Sequence, residues 1–248
     1  MLIQAMGGLM AVTGEPDAAP VLSGAPVLDT IGALMAGQGI VTALLHRERT
    51  GEGQRLDVSL LAGGLLAQAA RLSVFLATGR EPGRTGSAHP YLAPFQAFAT
   101  RDGWIYVAVW IERLWKPFCA AIGQPGLADD PRFVSTAERV RHRGALTARL
   151  EPIFRTRTLA EWMAALETHD VLCAPVNRYA DLADDPQIRD SGMIVEERHP
   201  RAGAFRTLAP AVTFAATPGT LRTPAPALGE LGLGPDEIGA LRAAGIAG

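Results

Sequence analysis

The chain is poor in cysteine and has no apparent metal-binding pattern. Its 248 residues include only two cysteines, Cys119 and Cys173, with neither a CxxC pair nor a histidine at metal-ligand spacing. Two cysteines are too few for a disulfide framework in a chain of this length. We therefore expect two buried thiols in a reducing cytoplasm and no metal site.

An excess of one charge is also lacking. Lysine and arginine together number 23 and the acidic residues 25, for a net charge of −2, and Lys116 is the only lysine. Such a balance implies no broad attraction to nucleic acid or to anionic lipid. The one basic cluster, Arg139-Val140-Arg141-His142-Arg143, is interpreted as a solvated helix face, although a phosphate group could dock there.

Long apolar runs and nucleotide-binding motifs are missing as well. No apolar run reaches membrane-spanning length without interruption, and the N-terminus lacks the basic start and cleavage site of a signal peptide. No GxGxxG follows a strand, and there is neither a Walker loop nor a Ser-His-Asp signature. We expect a cytoplasmic protein without a membrane or nucleic-acid partner and without a permanently bound cofactor.

What is present begins with apolar helical periodicity in residues 1–82. Residues 29–49 carry apolar side chains on nearly every face with small residues between them, which predicts a buried helix in close contact with its neighbours. The alternation in residues 54–59 predicts a strand. Residues 60–77 predict a second apolar helix, which Thr78-Gly79 ends.

Beyond a charged linker, residues 83–182 predict a smaller α/β domain. Its candidate strands are 95–99, 104–110 and 173–176, and its candidate helices are 112–122, 136–154 and 158–168. Arg101-Asp102-Gly103 predicts a hairpin between the first two strands, and Thr158 with Glu161 predicts a capping box.

The third part, residues 183–248, is irregular and rich in proline. Extended pieces are predicted near 193–199 and 211–215, and a short final helix from 234 to 244. A long segment without a dominant period typically wraps another surface. We therefore expect residues 183–248 to return across the first domain.

Asp29 is the most informative residue. It stands at the start of the apolar helix, and the sequence HRERTGEGQ follows at residues 46–54. The field and free N–H groups of a helix start favour an ionised, nucleophilic carboxylate. An ordinary N-cap aspartate would produce the same local pattern, so the surrounding motif has to separate these two interpretations.

Six stretches, in order, resemble CoA-transferase family III, which includes α-methylacyl-CoA racemases. They are 4–16, 29–54, 57–61, 89–96, the group 161–162 with 174–176 and 185–187, and 225–230. Each stretch is short, but together they extend along essentially the whole chain. The N-terminal α/β segment of the family is not found ahead of Met1, so the resemblance implies an N-terminally truncated form.

The resemblance implies an α/β fold in which part of a large Rossmann-like CoA-transferase domain is joined to a smaller α+β domain, in an interlocked homodimer. It also implies the transfer of CoA between carboxylic acids, with an acyl-CoA and an acceptor carboxylic acid as partners and the coenzyme A thioester as substrate. Asp29 would attack the thioester and pass through an anhydride to an aspartyl-CoA intermediate.

His89, Gln96 and Glu112 are the predicted substrate-binding residues. His89 lies in a stretch that resembles the active-site loop of the family, although Ser87-Ala88-His89-Pro90 replaces a glycine run and predicts a stiffer lid. A turn histidine, a strand glutamine and a helix-start glutamate are simpler explanations of the same three residues.

Two other functions stay open at this point. In an acyl-CoA racemase Asp29 would be an acid/base group and Glu112 would take part in proton transfer. A chain of this kind could also be an inactive remnant or an assembly subunit that needs another chain for CoA binding.

Overall fold

The computed structural model of the chain describes residues 1–199, 203–219 and 234–244. It contains two compact units, Met1–Val176 and Asn177–Gly248. Helices predominate in both units beside short antiparallel sheets, so the predicted mixed α/β class is confirmed. The division of the chain into domains at 82/83 and 182/183 stays a prediction.

The first unit begins with apolar helices. They are α1 (Leu2–Met6), a 3-10 turn (Met10–Val12), α2 (Val27–Thr50), α3 (Leu60–Ala67) and α4 (Ala69–Thr78). Gly51 and Gly79 end α2 and α4 with φ of 79° and 69°. This left-handed conformation is open to glycine without steric cost, so the predicted end at Gly79 is confirmed.

Helix α2 is exposed over most of its length, and the prediction of a buried helix is wrong for the described residues. Only Leu28 and Gly32 are buried, whereas Leu34 and Val41 are 69% and 67% exposed. Composition shows that a face is suited to burial, but burial itself requires a surface to pack against. Among the described residues of this unit, α3 and Leu56 supply part of that surface, where Gly63 and Gly39 allow close approach.

By length and composition α2 could cross a membrane, so the expectation that no apolar run reaches that length is wrong. One such helix is weak evidence for a membrane, because packing helices of water-soluble enzymes have the same composition. The apolar face of α2 therefore indicates a covering surface without identifying it.

Residues 54–59 do not form the predicted strand. A strand needs a hydrogen-bonded neighbour, and no other described segment pairs with these residues. Leu56 instead lies over Gly39 of α2. Ser59 then caps α3, because its Oγ accepts a hydrogen bond from the Ala62 N–H at 3.2 Å.

The predicted second helix is two helices, α3 and α4, which meet at an angle of 77°. Gln68 lies at the bend, and its Nε2 donates to the carbonyl oxygens of Gly7 and Gly64, each at 2.8 Å. The side chain of Gln68 thereby ties the bend to the N-terminal segment. Apolar periodicity does not register such a bend, since the apolar residues continue through it.

A three-stranded antiparallel sheet follows, in the order β1 (Phe95–Ala99), β2 (Trp104–Ala108) and β3 (Leu172–Pro175). The predicted hairpin is confirmed, with Phe98 opposite Ile105 and Ala99 opposite Trp104. The adjoining helices are α5 (Trp115–Ala121), α6 (Thr136–Arg141), α7 (Arg143–Phe154) and α8 (Leu159–Glu167). The helix predicted at 136–154 is thus interrupted at His142, and the capping box of α8 is confirmed.

The hydrophobic core of the first unit lies between this sheet and its helices. Its largest fully buried apolar side chains are Phe98, Phe118, Phe133, Phe154 and Trp162. Cys119 belongs to the same cluster, and burial raises the pKa of its thiol to about 12. Cys119 is therefore the buried thiol that the sequence predicted, while Cys173 is only partly buried.

The second unit contains α9 (Tyr179–Asp184), α10 (Pro186–Asp190), a hairpin of β4 (Ile194–His199) and β5 (Gly203–Leu208), and α11 (Pro235–Ala243). The first extended piece and the final helix are confirmed. The second extended piece is β5, so the prediction at 211–215 is wrong, and α9 and α10 were not predicted. The stretch 225–230 lies outside the described residues.

Candidate functional site

Asp29 is the third residue of α2 and lies in its first turn. Pro26 occupies the N-cap position, and no side chain caps this helix. The interpretation of Asp29 as an ordinary N-cap is therefore wrong. Its side chain is exposed, and no described residue gives it a hydrogen bond or an ion pair. The carboxylate of Asp29 is therefore without a partner among the described residues, and it lies beside the free N–H groups of a helix start.

The start of α2 is held by a buried glutamine. Gln4, only 4% exposed, donates from Nε2 to Ser23 Oγ at 2.9 Å and accepts from the Ser23 N–H at 3.0 Å. Ser23 Oγ in turn donates to the carbonyl oxygen of Ala25 at 2.8 Å. The sequence pattern had suggested no role for Gln4. The signal that could have identified it is its position as the single polar residue within the apolar residues 1–6.

Two arginines tie residues 12–18 to the segment that follows α4. Arg71 donates to the carbonyl oxygens of Val12 and Gly83 at 3.1 and 3.0 Å. Arg84 donates to those of Glu15 and Pro16 at 3.0 and 3.1 Å. These contacts place the N-terminal loop beside the start of residues 86–94, which we call the His89 loop.

His89 is held firmly within this loop. Its N–H donates to the Phe95 carbonyl oxygen at 2.8 Å, and its Nδ1 accepts from the Tyr91 N–H at 3.2 Å. The imidazole stacks on the ring of Phe95 with centroids 5.0 Å apart. Because Nδ1 is an acceptor, we assign the proton of the neutral ring to Nε2.

Burial lowers the pKa of His89 first, and the positive charges of Arg143 and Arg71 lower it further. The imidazolium is disfavoured both by the lost solvation and by these cations. The neutral ring is therefore favoured at neutral pH, and its Nε2–H is a hydrogen-bond donor with no partner among the described residues.

Gln96 lies in β1 and is 8% exposed, so the predicted strand position is confirmed. Its Oε1 accepts a long hydrogen bond of 3.4 Å from Thr147 Oγ1 of α7. Ser87 supports the same strand, because its Oγ accepts from the Ala97 N–H at 3.2 Å. The role of Gln96 in substrate binding stays a prediction.

Glu112 is bound to Arg139 and Thr136. Arg139 Nη1 donates to Glu112 Oε1 at 3.0 Å, and Thr136 donates to Oε2 from its N–H at 3.0 Å and its hydroxyl at 2.8 Å. The hydrogen bond from Arg139 is the main reason that the pKa of Glu112 lies below its usual value. These partners occupy the carboxylate and favour an anchoring role, while its substrate-binding role stays a prediction.

The basic cluster at 139–143 is not a solvated face throughout, so that interpretation is wrong in part. Arg139 is completely buried and stacks on Trp115, with Cζ 4.7 Å from the ring centroid. Arg143 is half-buried and reaches the His89 loop. Only Arg141 projects into solvent, where it pairs with Glu138.

The structure thus gathers three of the four predicted site residues around one loop. His89 lies within this loop, Gln96 lies in β1 just after it, and Glu112 reaches it through Arg139. Within residues 1–199, 203–219 and 234–244, no hydrogen bond or ion pair links Asp29 to that group. The same ranges contain no cluster of three His, Cys, Asp or Glu side chains able to hold a metal ion.

Comparison with known proteins finds one family. Residues 1–231 match the sequence model of CoA-transferase family III. An acetyl-CoA:oxalate CoA-transferase of Acetobacter aceti is 36% identical over 196 residues, which are 79% of this chain and 50% of that protein. A succinate–glutarate CoA-transferase of Agrobacterium fabrum is 31% identical over 234 residues, which are 92% and 57%.

A solved structure agrees with these sequence matches. The crystal structure of a CaiB/BaiF family protein from Brucella suis superimposes with a TM-score of 0.81 at 33% identity, covering 98% of this chain and 61% of that one. The chain therefore spans about half the length of the curated relatives it matches.

Proposed function

Since this chain belongs to CoA-transferase family III, we propose that it is the part of a CoA-transferase that carries the nucleophile, Asp29. The observation that carries the proposal is the exposed carboxylate of Asp29, which has no partner among the described residues and lies in the first turn of an apolar helix. A carboxylate without a hydrogen-bonding or ionic partner is open to attack a substrate carbonyl. The N–H groups and dipole of a helix start favour negative charge at this place.

The proposed reaction proceeds by acyl exchange on that carboxylate. An oxygen of Asp29 attacks the thioester carbonyl of an acyl-CoA, the C–S bond breaks, and a mixed anhydride forms while CoA leaves as the thiolate. The thiolate attacks the aspartyl carbonyl, which releases the donor acid and leaves aspartyl-CoA. An acceptor carboxylate then attacks the aspartyl carbonyl of aspartyl-CoA, the C–S bond breaks, and a second mixed anhydride forms as the thiolate leaves. The thiolate attacks the acceptor carbonyl of this anhydride, which gives the acceptor CoA thioester and restores the carboxylate of Asp29.

The other site residues have supporting roles in this proposal. His89 offers a neutral Nε2–H donor to a substrate oxygen, and Gln96 lies on the adjoining strand. Glu112 anchors the His89 loop through Arg139 and does not take part in proton transfer. The occupied carboxylate of Glu112 disfavours the racemase alternative, in which Glu112 would have to exchange protons.

We infer small carboxylic acids as donor and acceptor. The names of two relatives include oxalate, succinate and glutarate, which are all dicarboxylates. Dicarboxylates are accordingly the first acceptors to test. The coenzyme A thioester is consumed as a substrate in this proposal, and no resident cofactor takes part.

We also propose that the exposed face of α2 is covered by protein in a cytoplasmic homodimer. Leu34, Val41 and Leu45 leave a continuous apolar surface in water, which a water-soluble enzyme rarely leaves uncovered. A second copy is the partner that the resemblance implies. An assembly subunit that awaits another chain remains the competing outcome.

The test is trapping of the intermediate. The protein is incubated with acetyl-CoA or succinyl-CoA and hydroxylamine, and its peptides are analysed by mass spectrometry. We expect a hydroxamate on Asp29 only when acyl-CoA is present. Asp29→Asn and Asp29→Ala should lose transfer to oxalate or glutarate by several orders of magnitude, whereas Asp57→Asn, at an exposed carboxylate paired with Arg55, should not.

A tenth or more of wild-type activity in Asp29→Ala would refute the assignment. Incorporation of deuterium at the α carbon of a 2-methylacyl-CoA, without inactivation by hydroxylamine, would favour the racemase. Absence of CoA binding by the purified chain would favour the assembly subunit.

A further inference from the structure

The His89 loop is held from one side by two arginines four residues apart. Arg139 Nε donates to the carbonyl oxygen of Ala93 at 2.8 Å. Arg143 Nη2 donates to those of Pro90 and Leu92 at 3.2 and 3.3 Å. Three carbonyl groups of one short loop are therefore bound by side chains of α6 and α7.

Arg139 has no donor left for a ligand. A guanidinium has five N–H groups, and all of them are used, by Ala93, Phe133, Thr136 and both carboxylate oxygens of Glu112. The side chain is completely buried and also stacks on Trp115. Its rigid fork therefore fixes the Ala93 end of the loop relative to the core.

Arg143 differs from Arg139 because its hydrogen bonding is incomplete. Its Nη2 is shared between two long bonds, and its buried Nη1 has no partner among the described residues. Burial lowers the pKa of Arg143. This half-satisfied cation lies close enough to His89 to disfavour a second positive charge there. Arg143 therefore both binds the loop and favours the neutral form of His89.

The His89 ring is therefore held both at one nitrogen, Nδ1, and across the face of the ring. Nδ1 is bound to the Tyr91 N–H, and the ring lies on Phe95. Tyr91 is flanked by the two carbonyl groups that Arg143 holds. Loss of Arg143 would free the Pro90–Tyr91 peptide unit, whose N–H orients the imidazole, and the Leu92–Ala93 peptide unit beyond it.

We propose that Arg139 and Arg143 are positioning residues of the transferase site, which hold the His89 loop so that His89 Nε2–H faces the bound thioester. This inference rests on the proposed function. Neither arginine touches substrate: Arg139 fixes the Ala93 end of the loop, and Arg143 fixes the segment whose N–H sets the tautomer of His89. A displaced donor weakens transition-state binding more than substrate binding.

The experiment replaces Arg143 in the full chain. Arg143→Met removes both carbonyl contacts and the charge, and Arg143→Lys keeps the charge without the planar fork. Arg141→Met is the matched control, because Arg141 lies between the two arginines in sequence but is exposed and pairs only with Glu138. Nitrogen-15 NMR of labelled histidine measures the tautomer of His89, and steady-state assays with acetyl-CoA and oxalate measure kcat and KM.

We expect the wild type and Arg141→Met to show a single Nε2–H tautomer for His89. Arg143→Met should show mixed tautomers and faster exchange of the Tyr91 amide. Its kcat should fall about tenfold while KM changes by less than about threefold. The tautomer ratio and kcat of Arg143→Lys should lie between those of the wild type and Arg143→Met. Arg143→Lys is the variant to measure if Arg143→Met does not fold.

An unchanged tautomer and amide exchange rate in the Arg143 variants would overturn the proposal. Altered NMR signals with an unchanged kcat in an active enzyme would also overturn it, since the loop would then be structural only. If the wild-type protein has no transferase activity, the proposed function fails and the positioning of a thioester fails with it. The NMR measurement then still shows whether Arg143 holds the loop.

Discussion

At the scale of single residues, Arg139 shows how a buried cation can be accommodated. Its charge is paired with Glu112, and its other N–H groups meet carbonyl and hydroxyl oxygens. Arg139→Met should lower the free energy of unfolding by about 3 kcal/mol, because it leaves the carbonyl oxygens of Ala93 and Phe133 without donors. Urea denaturation measures the loss.

Arg141→Met supplies the control for this prediction, because Arg141 is exposed and its pair with Glu138 contributes little. Its change in unfolding free energy should stay within about 0.5 kcal/mol. Equal losses in Arg139→Met and Arg141→Met would show that the network around Arg139 does not stabilise the fold.

Glu112 allows a prediction about acid stability. Its pKa is lowered in the folded protein, chiefly by the hydrogen bond from Arg139. A lowered carboxylate pKa contributes stability above the unfolded value of about 4.3, and that stability is lost as the pH falls through the folded value. Glu112→Gln should therefore lower Tm at pH 7 and lower it much less near pH 3.

Glu112→Gln also separates structure from chemistry, since its transferase kcat at pH 7 should change little below the new Tm. A Tm difference from wild type that is the same at pH 7 and pH 3 would contradict the linkage. A severe loss of kcat in the folded variant would assign Glu112 a chemical role.

At the scale of elements, α8 begins with reciprocal hydrogen bonds. Thr158 Oγ1 accepts from the Glu161 N–H at 3.2 Å, and Glu161 Oε2 accepts from the Thr158 N–H at 2.7 Å. The hairpin turn is joined to the same helix start, because Asp102 Oδ1 accepts from the Leu159 N–H at 2.7 Å. The helix and the sheet are therefore fixed to each other at this point.

Thr158→Ala should destabilise the first unit by about 1 kcal/mol, because it removes the side-chain cap of α8. Thr168→Ala is the control at the other end of the helix, where the hydroxyl donates only to the Ala164 carbonyl oxygen. Thermal denaturation compares the two variants. A loss of stability in Thr168→Ala as large as that in Thr158→Ala would show that the side-chain cap of α8 adds no more stability than an ordinary exposed hydroxyl group.

At the scale of the whole molecule, the exposed face of α2 determines how the chain behaves in solution. Val41→Lys should shift the assembled protein to a lower mass, because it places a charge where an apolar side chain is 67% exposed in the single chain and covered in the proposed homodimer. Thr156→Lys adds the same charge at an exposed polar position outside α2 and should leave the mass unchanged. Light scattering after size exclusion measures both.

A monomeric wild-type chain with a cooperative unfolding transition would contradict the proposed homodimer. Flotation of the wild type with lipid vesicles, abolished in Val41→Lys, would show that a membrane covers α2 in place of a second copy.

Local sequence patterns determined much of the small α/β part of the chain. The candidate strand at 95–99 coincides with β1, the Asp102-Gly103 turn located the hairpin, and Thr158 with Glu161 located the start of α8. These features depend on neighbours a few residues away, so the sequence contains the information for them. The apolar helix with Asp29 near its start is of the same kind.

Tertiary structure decided the features that depend on distant partners. Residues 54–59 have the strand alternation but no strand to pair with, and the apolar continuity of 60–77 conceals a bend that Gln68 ties to Gly7. Arg139 belongs to a charged cluster that the sequence suggests is solvated, but its side chain is buried. Its partners are distant in sequence, because Glu112 is 27 residues away and the Ala93 carbonyl oxygen 46 residues away. A sequence pattern specifies which groups need partners, whereas only the folded chain specifies which partners they have.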